Sequence, residues 1–315
     1  MLTKPAIEIA IKSSDCGLIV IVNGCQLTRD NTGDPIDMFQ VINPYVRSGD
    51  NEIEALVLLG APDEEPNVAQ LQLEVKVREM DEAPGSGTLL ARIAYDGRLL
   101  SAGKATSATS PPWRLMSIDG YRRHDAGDVE VGPLETKILP PPFTHQSPSL
   151  RRKISLPLPL PTWAFFGGDF MPEGWSQAAP TEGLERQLYD SLMRSYQVIW
   201  NALAAKDLAA LAPIFDERSR EYDRALYLVP GTTWQLCASR ITEMWQSGRL
   251  ASIADEGQPW LVEARVPRMR TTFLSFGSYA SHILRFVTNE TATSVYADVL
   301  PVWFRRQGNE FILTR

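Results

Sequence analysis

From residue 184 to residue 203 large apolar side chains recur at steps of three and four: Leu184, Leu188, Leu192, Tyr196, Ile199, Trp200 and Leu203. That spacing is the period of a helix with one apolar stripe, and such a stripe has to be covered. The residues before it follow another rule. Ile7, Ile9 and Ile11 alternate, as do Leu71, Leu73, Val75 and Val77, which is the two-residue period of a half-buried strand. A chain that changes period in this way predicts a strand-built part followed by a part in which helices cover a sheet.

At 315 residues the length suits about two domains, and 44% apolar residues supply a core for each. Strands are expected at 5–12, 17–22, 52–59, 68–79, 88–95, 129–138 and 150–158. Asn23-Gly24, Gly49-Asp50-Asn51, the run from Pro84 to Gly87 and Asp96-Gly97 make the turns. GLIVIV at 17–22 is apolar throughout, so both of its faces should be covered. TRDNTGDPID reads as loop, 37–42 as a short helical turn, and 101–128 as a long polar loop. Few helical signals interrupt these strands, so residues 1–160 are expected to form an all-β sandwich.

Residues 161–182 are dense in Pro, Gly and aromatics. Leaving Trp163, Phe165, Phe166, Phe170 and Trp175 in water would cost roughly 1.5–3 kcal/mol for each large apolar side chain. The segment is therefore expected to be an ordered connector packed across the joint between the domains. A helical unit follows. Asp207 suits an N-cap. Pro213 should split the second helical run into two pieces at an angle. Thr232-x-x-Gln235 has the form of a capping box for a third helix, which Gly248 closes. Strands at 260–266, 271–276, 281–287, 294–304 and 309–314 complete residues 183–315, with a tight turn at Gln307-Gly308-Asn309.

Two resemblances sharpen this. The run VNG, then N-P-Y-V-R-S-G-D-N and an alternating strand, resembles the jelly-roll-like sandwich domains attached to some carbohydrate-active proteins. It implies the sandwich and names no residue as a sugar ligand. Residues 196–215, Y-x-x-I-W-N-A-L-A-A-K-D-L-A-A-L-A-P-I-F, together with the closing sheet, resemble the nuclear-transport-factor-like (SnoaL-like) cone fold. That resemblance implies an α+β cone: three helices packed on a curved antiparallel sheet. The fold hosts enzymes, binders and association modules alike.

Composition narrows the function. The chain carries a net charge of −7, divided as −5 over residues 1–160 and −2 over 161–315. A nucleic acid is therefore not the expected partner. Cys16 and Cys25 flank a strand of roughly 30 Å and cannot pair across it. Three cysteines with no framework suit a reducing compartment. No signal peptide and no apolar run of membrane-spanning length is visible, so a cytoplasmic protein is expected.

If the cone forms with Val287 opposite Thr293, His282 faces Asp298 and Leu284 faces Tyr296. His282 and Asp298 would then be a general base and its orienter, with Tyr296 and Tyr222 as further polar groups of a pocket. The plainer readings are a core or surface histidine, an Asp298 paired with an arginine, and a solvated face for ERSREYDR. Asp30, Asp34 and Asp37 lack the spacing of a calcium loop, and no zinc, P-loop, dinucleotide or serine-hydrolase motif is present. Arg151-Arg152-Lys153 and the Arg265, Arg268, Arg270 group read as solvated or salt-bridged faces. No metal and no cofactor is expected. The sequence thus points to a bacterial non-enzymatic protein that binds another protein, such as an immunity protein neutralising a secreted toxin or a secretion-system accessory. The alternatives are a small-molecule binder or enzyme using the cone pocket, and a carbohydrate-binding accessory using the sandwich.

Overall fold

The computed structural model describes residues 2–30, 32–59, 68–97, 114–118, 130–138, 147–169, 183–250, 284–290, 295–300, 302 and 304–314. The chain divides into two compact units, Met1–Thr162 and Trp163–Arg315.

The first unit contains ten strands: β1 (Pro5–Ser14), β2 (Gly17–Val22), β3 (Cys25–Asp30), β4 (Ile36–Val41), β5 (Gly49–Leu58), β6 (Gln70–Glu79), β7 (Thr88–Asp96), β8 (Arg114–Ile118), β9 (Glu130–Ile138) and β10 (Pro148–Leu156). They form two five-stranded antiparallel sheets, in the orders β4-β1-β6-β7-β8 and β3-β2-β5-β10-β9. The alternating residues do what their period requires. Ile7 pairs with Val77, Ile9 with Val75 and Ile11 with Leu73, all facing one way. Val20, Val22, Ile53, Ala55, Val57, Leu150 and Ile154 of the second sheet share one buried cluster with them. In β2, Leu18, Ile19 and Val20 are all fully buried, so neither face of this strand is open. Asn23-Gly24 links β2 to β3 with both residues at positive φ, +49° and +80°, the geometry of a two-residue hairpin turn.

Three sequence expectations are corrected here. Residues 36–41 form the edge strand β4 instead of a helical turn, because Asp37, Met38, Phe39 and Gln40 pair with β1. Part of the stretch read as loop chemistry is strand β3, and β8 lies within the long polar loop. Arg152 is the third. It lies opposite Ile53 on the core-facing side of β10, is 2% exposed, and donates to the carbonyls of Gly132 in β9 and Arg92 in β7. This arginine therefore ties β10 to the opposite sheet and is not part of a solvated face. Cys16 and Cys25 are free thiols, and burial pushes Cys16 up to about 12, with the Asp15 and Asp30 carboxylates adding to the shift.

The outer side of the first sheet holds charged groups that are mutually satisfied. Glu74 receives hydrogen bonds from Arg92 and lies 3.0 Å from Lys76. Burial alone would raise its pKa, but those two cations bring it below the ordinary carboxylate value. Its folded-state pKa is thus depressed. The stability it contributes is present above the unfolded value of about 4.3 and is lost as pH falls through the lower folded value. Wild type and Glu74→Gln should differ in urea midpoint at about pH 6 and converge as pH falls through the lowered folded value. Curves that stay parallel through the acid range would refute this assignment.

The second unit begins with residues 163–169, where Trp163, Phe165 and Phe166 are buried. Its backbone bonds run to α2 and to the last hairpin: Ala164 N–H donates to Glu221 at 2.5 Å and Asp169 N–H to the Arg306 carbonyl at 2.8 Å. Phe170 and Trp175 lie outside the described residues. Three helices follow: α1 (Gly183–Ala204), α2 (Leu208–Ala225) and α3 (Thr232–Ser247). The strands are β11 (Arg249–Leu250), β12 (Arg285–Glu290), β13 (Val295–Val299), β14 (Phe304–Gln307) and β15 (Glu310–Leu313), all paired antiparallel.

The α1 stripe is buried from Leu188 through Leu192, Tyr196 and Ile199 to Leu203, against Phe304, Phe311 and Leu313. Leu184, which the period included, is exposed at its N-terminal end. Asp207 closes α1 and opens α2: its N–H donates to the Ala202 carbonyl at 2.9 Å, and its carboxylate accepts from Ala210 N–H at 2.9 Å. Pro213 does not split α2, which is one helix. A proline there frees only the Ala209 carbonyl, and Ala209 is exposed, so water can take its place. Among the described residues no helix is long and apolar enough to cross a membrane.

Candidate functional site

Of the four residues singled out from the sequence, His282 lies outside the described residues. Asp298 and Tyr296 are on β13, but in another register. Asp298 pairs with Phe286 and Tyr296 with Asn289, while Leu284 accepts from Leu300 N–H at 2.9 Å. Strand β12 runs to Glu290, which pairs with Val295, and the pairing shifts between Val287 and Asn289. The alignment of position 282 with Asp298, and of Leu284 with Tyr296, is therefore not the one formed. A register guessed from one assumed pair fails whenever the turn moves along the chain.

Tyr222 is on α2, half-buried, with the Arg218 guanidinium 4.9 Å above its ring. Its neighbour Asp223 proves more informative. This carboxylate is 3% exposed and accepts from the Gly231 and Thr233 N–H groups at 2.6 and 2.8 Å. Those donors open α3, whose first N–H groups have no partner within the helix. Asp223 thus caps α3 from the end of α2. The capping box expected from Thr232 and Gln235 does not cap this end: the Thr232 hydroxyl donates to the Val229 carbonyl at 2.7 Å.

The same few residues lock the end of α2. Leu228 N–H donates to the Asp223 carbonyl at 2.8 Å and Tyr227 N–H to the Arg224 carbonyl at 3.4 Å, the paired bonds of a Schellman ending. The residue in left-handed conformation at such an ending is usually glycine, but here it is Tyr227, at φ +56°. For a bulky side chain that geometry costs on the order of 1–2 kcal/mol. The turn so built leaves apolar residues in water. Val229 is 75% exposed, Leu236 on α3 is 65% exposed, and Tyr227 and Leu228 are more than a third exposed. Trp234 of α3 packs on Phe215 of α2 at 5.8 Å between ring centres. Burial pushes the Cys237 thiol up despite the nearby Arg218, so it is not poised as a nucleophile.

Replacing Asp223 by alanine should cost about 2 kcal/mol, the loss of two N-terminal helix bonds. It should also speed amide exchange of Gly231 and Thr233 in hydrogen-exchange measurements. Unchanged exchange at both amides would show that Asp223 is not the cap.

In the first unit a cleft of about 400 Å³ lies over β1, β4, β6 and β7, edged by Lys12, Asp37, Gln70, Gln72 and Asp96. Lys12 and Asp37, opposite each other on β1 and β4, pair at 3.2 Å at its edge. Asp30 accepts from the Thr32 hydroxyl and the Gly33 N–H of its own turn. The described residues contain no group of three side chains able to hold a metal ion. The exposed large aromatic residue described in this unit is Phe39, and it lies against Gly85. Comparison of the chain with protein families, with curated proteins and with solved structures finds no match.

Proposed function

We propose that this chain is a non-enzymatic protein-binding protein and that its second unit carries the binding surface. The observation that supports the reading is the turn between α2 and α3. Its backbone is held by a buried carboxylate and a strained tyrosine, yet it presents Tyr227, Leu228 and Val229, with Leu236 beyond them, to solvent. Apolar side chains on a braced turn are surface that association would bury. The inner face of α1 is filled by Leu188, Leu192, Tyr196, Phe304 and Phe311, which favours association over a ligand pocket at that face. A cone of the nuclear-transport-factor type, with the helices over a curved sheet, is the architecture we propose for this unit. An immunity protein that neutralises a secreted toxin, or a secretion-system accessory, works by association alone in this manner.

The test compares the wild-type chain with Val229→Asp/Leu236→Glu as baits in crosslinking from a bacterial host. Both sites are exposed, so the variant should keep the wild-type far-UV CD spectrum and melting temperature. A defined protein crosslinked by the wild type and lost with the variant is the expected result. An identical crosslink pattern for both baits would remove the turn from the binding surface.

A further inference from the structure

The charges around this turn point to the chemistry of its partner. The carboxylates on the second half of α2 are already engaged. Asp216 pairs with Arg220 at 2.8 Å, and Glu217 holds Arg305 through two bonds of 3.1 and 2.9 Å. Glu221 accepts from Ala164 N–H, and Asp223 caps α3. Of the cations nearby, Arg240 pairs with Glu243 at 3.2 Å, and Arg218 is half-buried over the Tyr222 ring with its Nε out of water. Arg224 is different. It is exposed, sits one turn before Tyr227, and forms no ion pair among the described residues. The surface therefore offers an exposed guanidinium three residues before the apolar turn at 227–229, and the carboxylate closest to it in sequence is buried and satisfied.

Resting on the protein-binding reading, we propose that the α2–α3 turn receives a segment of another protein that carries large apolar side chains next to an Asp or Glu. The apolar side chains cover Val229, Leu228 and Leu236, and the carboxylate meets Arg224. A guanidinium donates two parallel hydrogen bonds to a carboxylate, so it selects an acidic neighbour geometrically as well as by charge. A basic segment would leave Arg224 facing a like charge.

The probe is a random-peptide display library selected on the full-length protein and counter-selected on Val229→Asp/Leu236→Glu. Selected peptides should combine apolar residues with Asp or Glu. Their affinity, read by fluorescence anisotropy, should fall roughly tenfold on Arg224→Ala, the scale of one hydrogen-bonded charge. It should fall further on Arg224→Glu, weaken as salt rises, and partly return when the peptide acid is exchanged for lysine. Three results would overturn the inference. Peptides without acidic enrichment that bind Arg224→Glu as they bind wild type leave the protein-binding reading intact and remove this one. A dimer in light scattering that Leu236→Glu dissolves assigns the turn to a second copy of this chain. Selection of no peptide that depends on the turn removes it as a peptide-binding site.

Discussion

Arg78→Ala is expected to destabilise the first unit by about 3–5 kcal/mol, the cost of leaving one member of a buried ion pair alone. Glu8 and Arg78 have side chains 1% and 5% exposed, with Arg78 Nε 3.0 Å from Glu8 Oε2. The other bonds explain why this pair is tolerated in a buried place. Arg78 Nη1 donates to the carbonyls of Glu79, Met80 and Glu82, and Glu8 accepts from Gly85 N–H at 2.8 Å. The pair thus clamps the turn after β6 onto the outer face of β1. Gly85 takes part in the clamp: at φ +80°, a Cβ there would lie 2.7 Å from the Phe39 ring. Removing Arg78 strands a carboxylate and three carbonyls together. The double variant Glu8→Met/Arg78→Met strands no charge and should lose less than Glu8→Met and Arg78→Met combined. Urea unfolding followed by far-UV CD measures all four proteins of the cycle. A single-variant loss below about 1 kcal/mol would mean that the pair is not the clamp.

The second large effect is expected at Asn51. Its side chain, 3% exposed, makes four hydrogen bonds. It accepts from Arg47 N–H and Asn23 Nδ2 at 2.9 Å each, and donates to the carbonyls of Arg47 and Gly49 at 2.8 Å each. Asn23 carries the network on, donating to the Tyr45 carbonyl and accepting from Glu52 N–H. Nearby, Asn43 accepts from Ile7 N–H and donates to the Pro5 carbonyl, both at 2.7 Å. Asn51→Ala leaves one buried and three partly buried groups without their partner, at about 1 kcal/mol each, so a loss of roughly 3–4 kcal/mol is expected. Asn51→Asp should be at least as damaging, because it keeps the shape but sets a carboxylate against two carbonyls. Thermal unfolding of both variants decides the matter. If Asn51→Asp melts with the wild type, the donors of this amide are dispensable.

These asparagines show how far the sequence could be read. Asn23, Asn43 and Asn51 are the residues on which the sandwich resemblance rested, and each was legible as a turn former. That they are buried and that Asn23 bonds Asn51 was not legible, because the partners are 28 residues apart and meet only once β2 and β5 pair. Arg152 and Asp223 fail in the same way. Both stand in charged runs that look solvated, and both are buried because another element brings carbonyls or N–H groups to them. Strand β4 shows the reverse case. Its sequence permits a helical turn, and the open side of β1 decides for a strand.

The features that the sequence by itself determined are those whose cause lies within a few residues. They include the alternation that buries Ile7, Ile9 and Ile11, the stripe that buries α1, the Asn23-Gly24 turn and the Asp207 cap. Local sterics and side-chain period suffice for each of these. Tertiary structure alone decided the pairing of Asp298 with Phe286, the clamp between Glu8 and Arg78, and the exposure of Tyr227, Leu228 and Val229. In each of these a side chain's environment is supplied by elements distant in sequence, and a hydrogen bond or a water-free contact has no local signature until those elements meet.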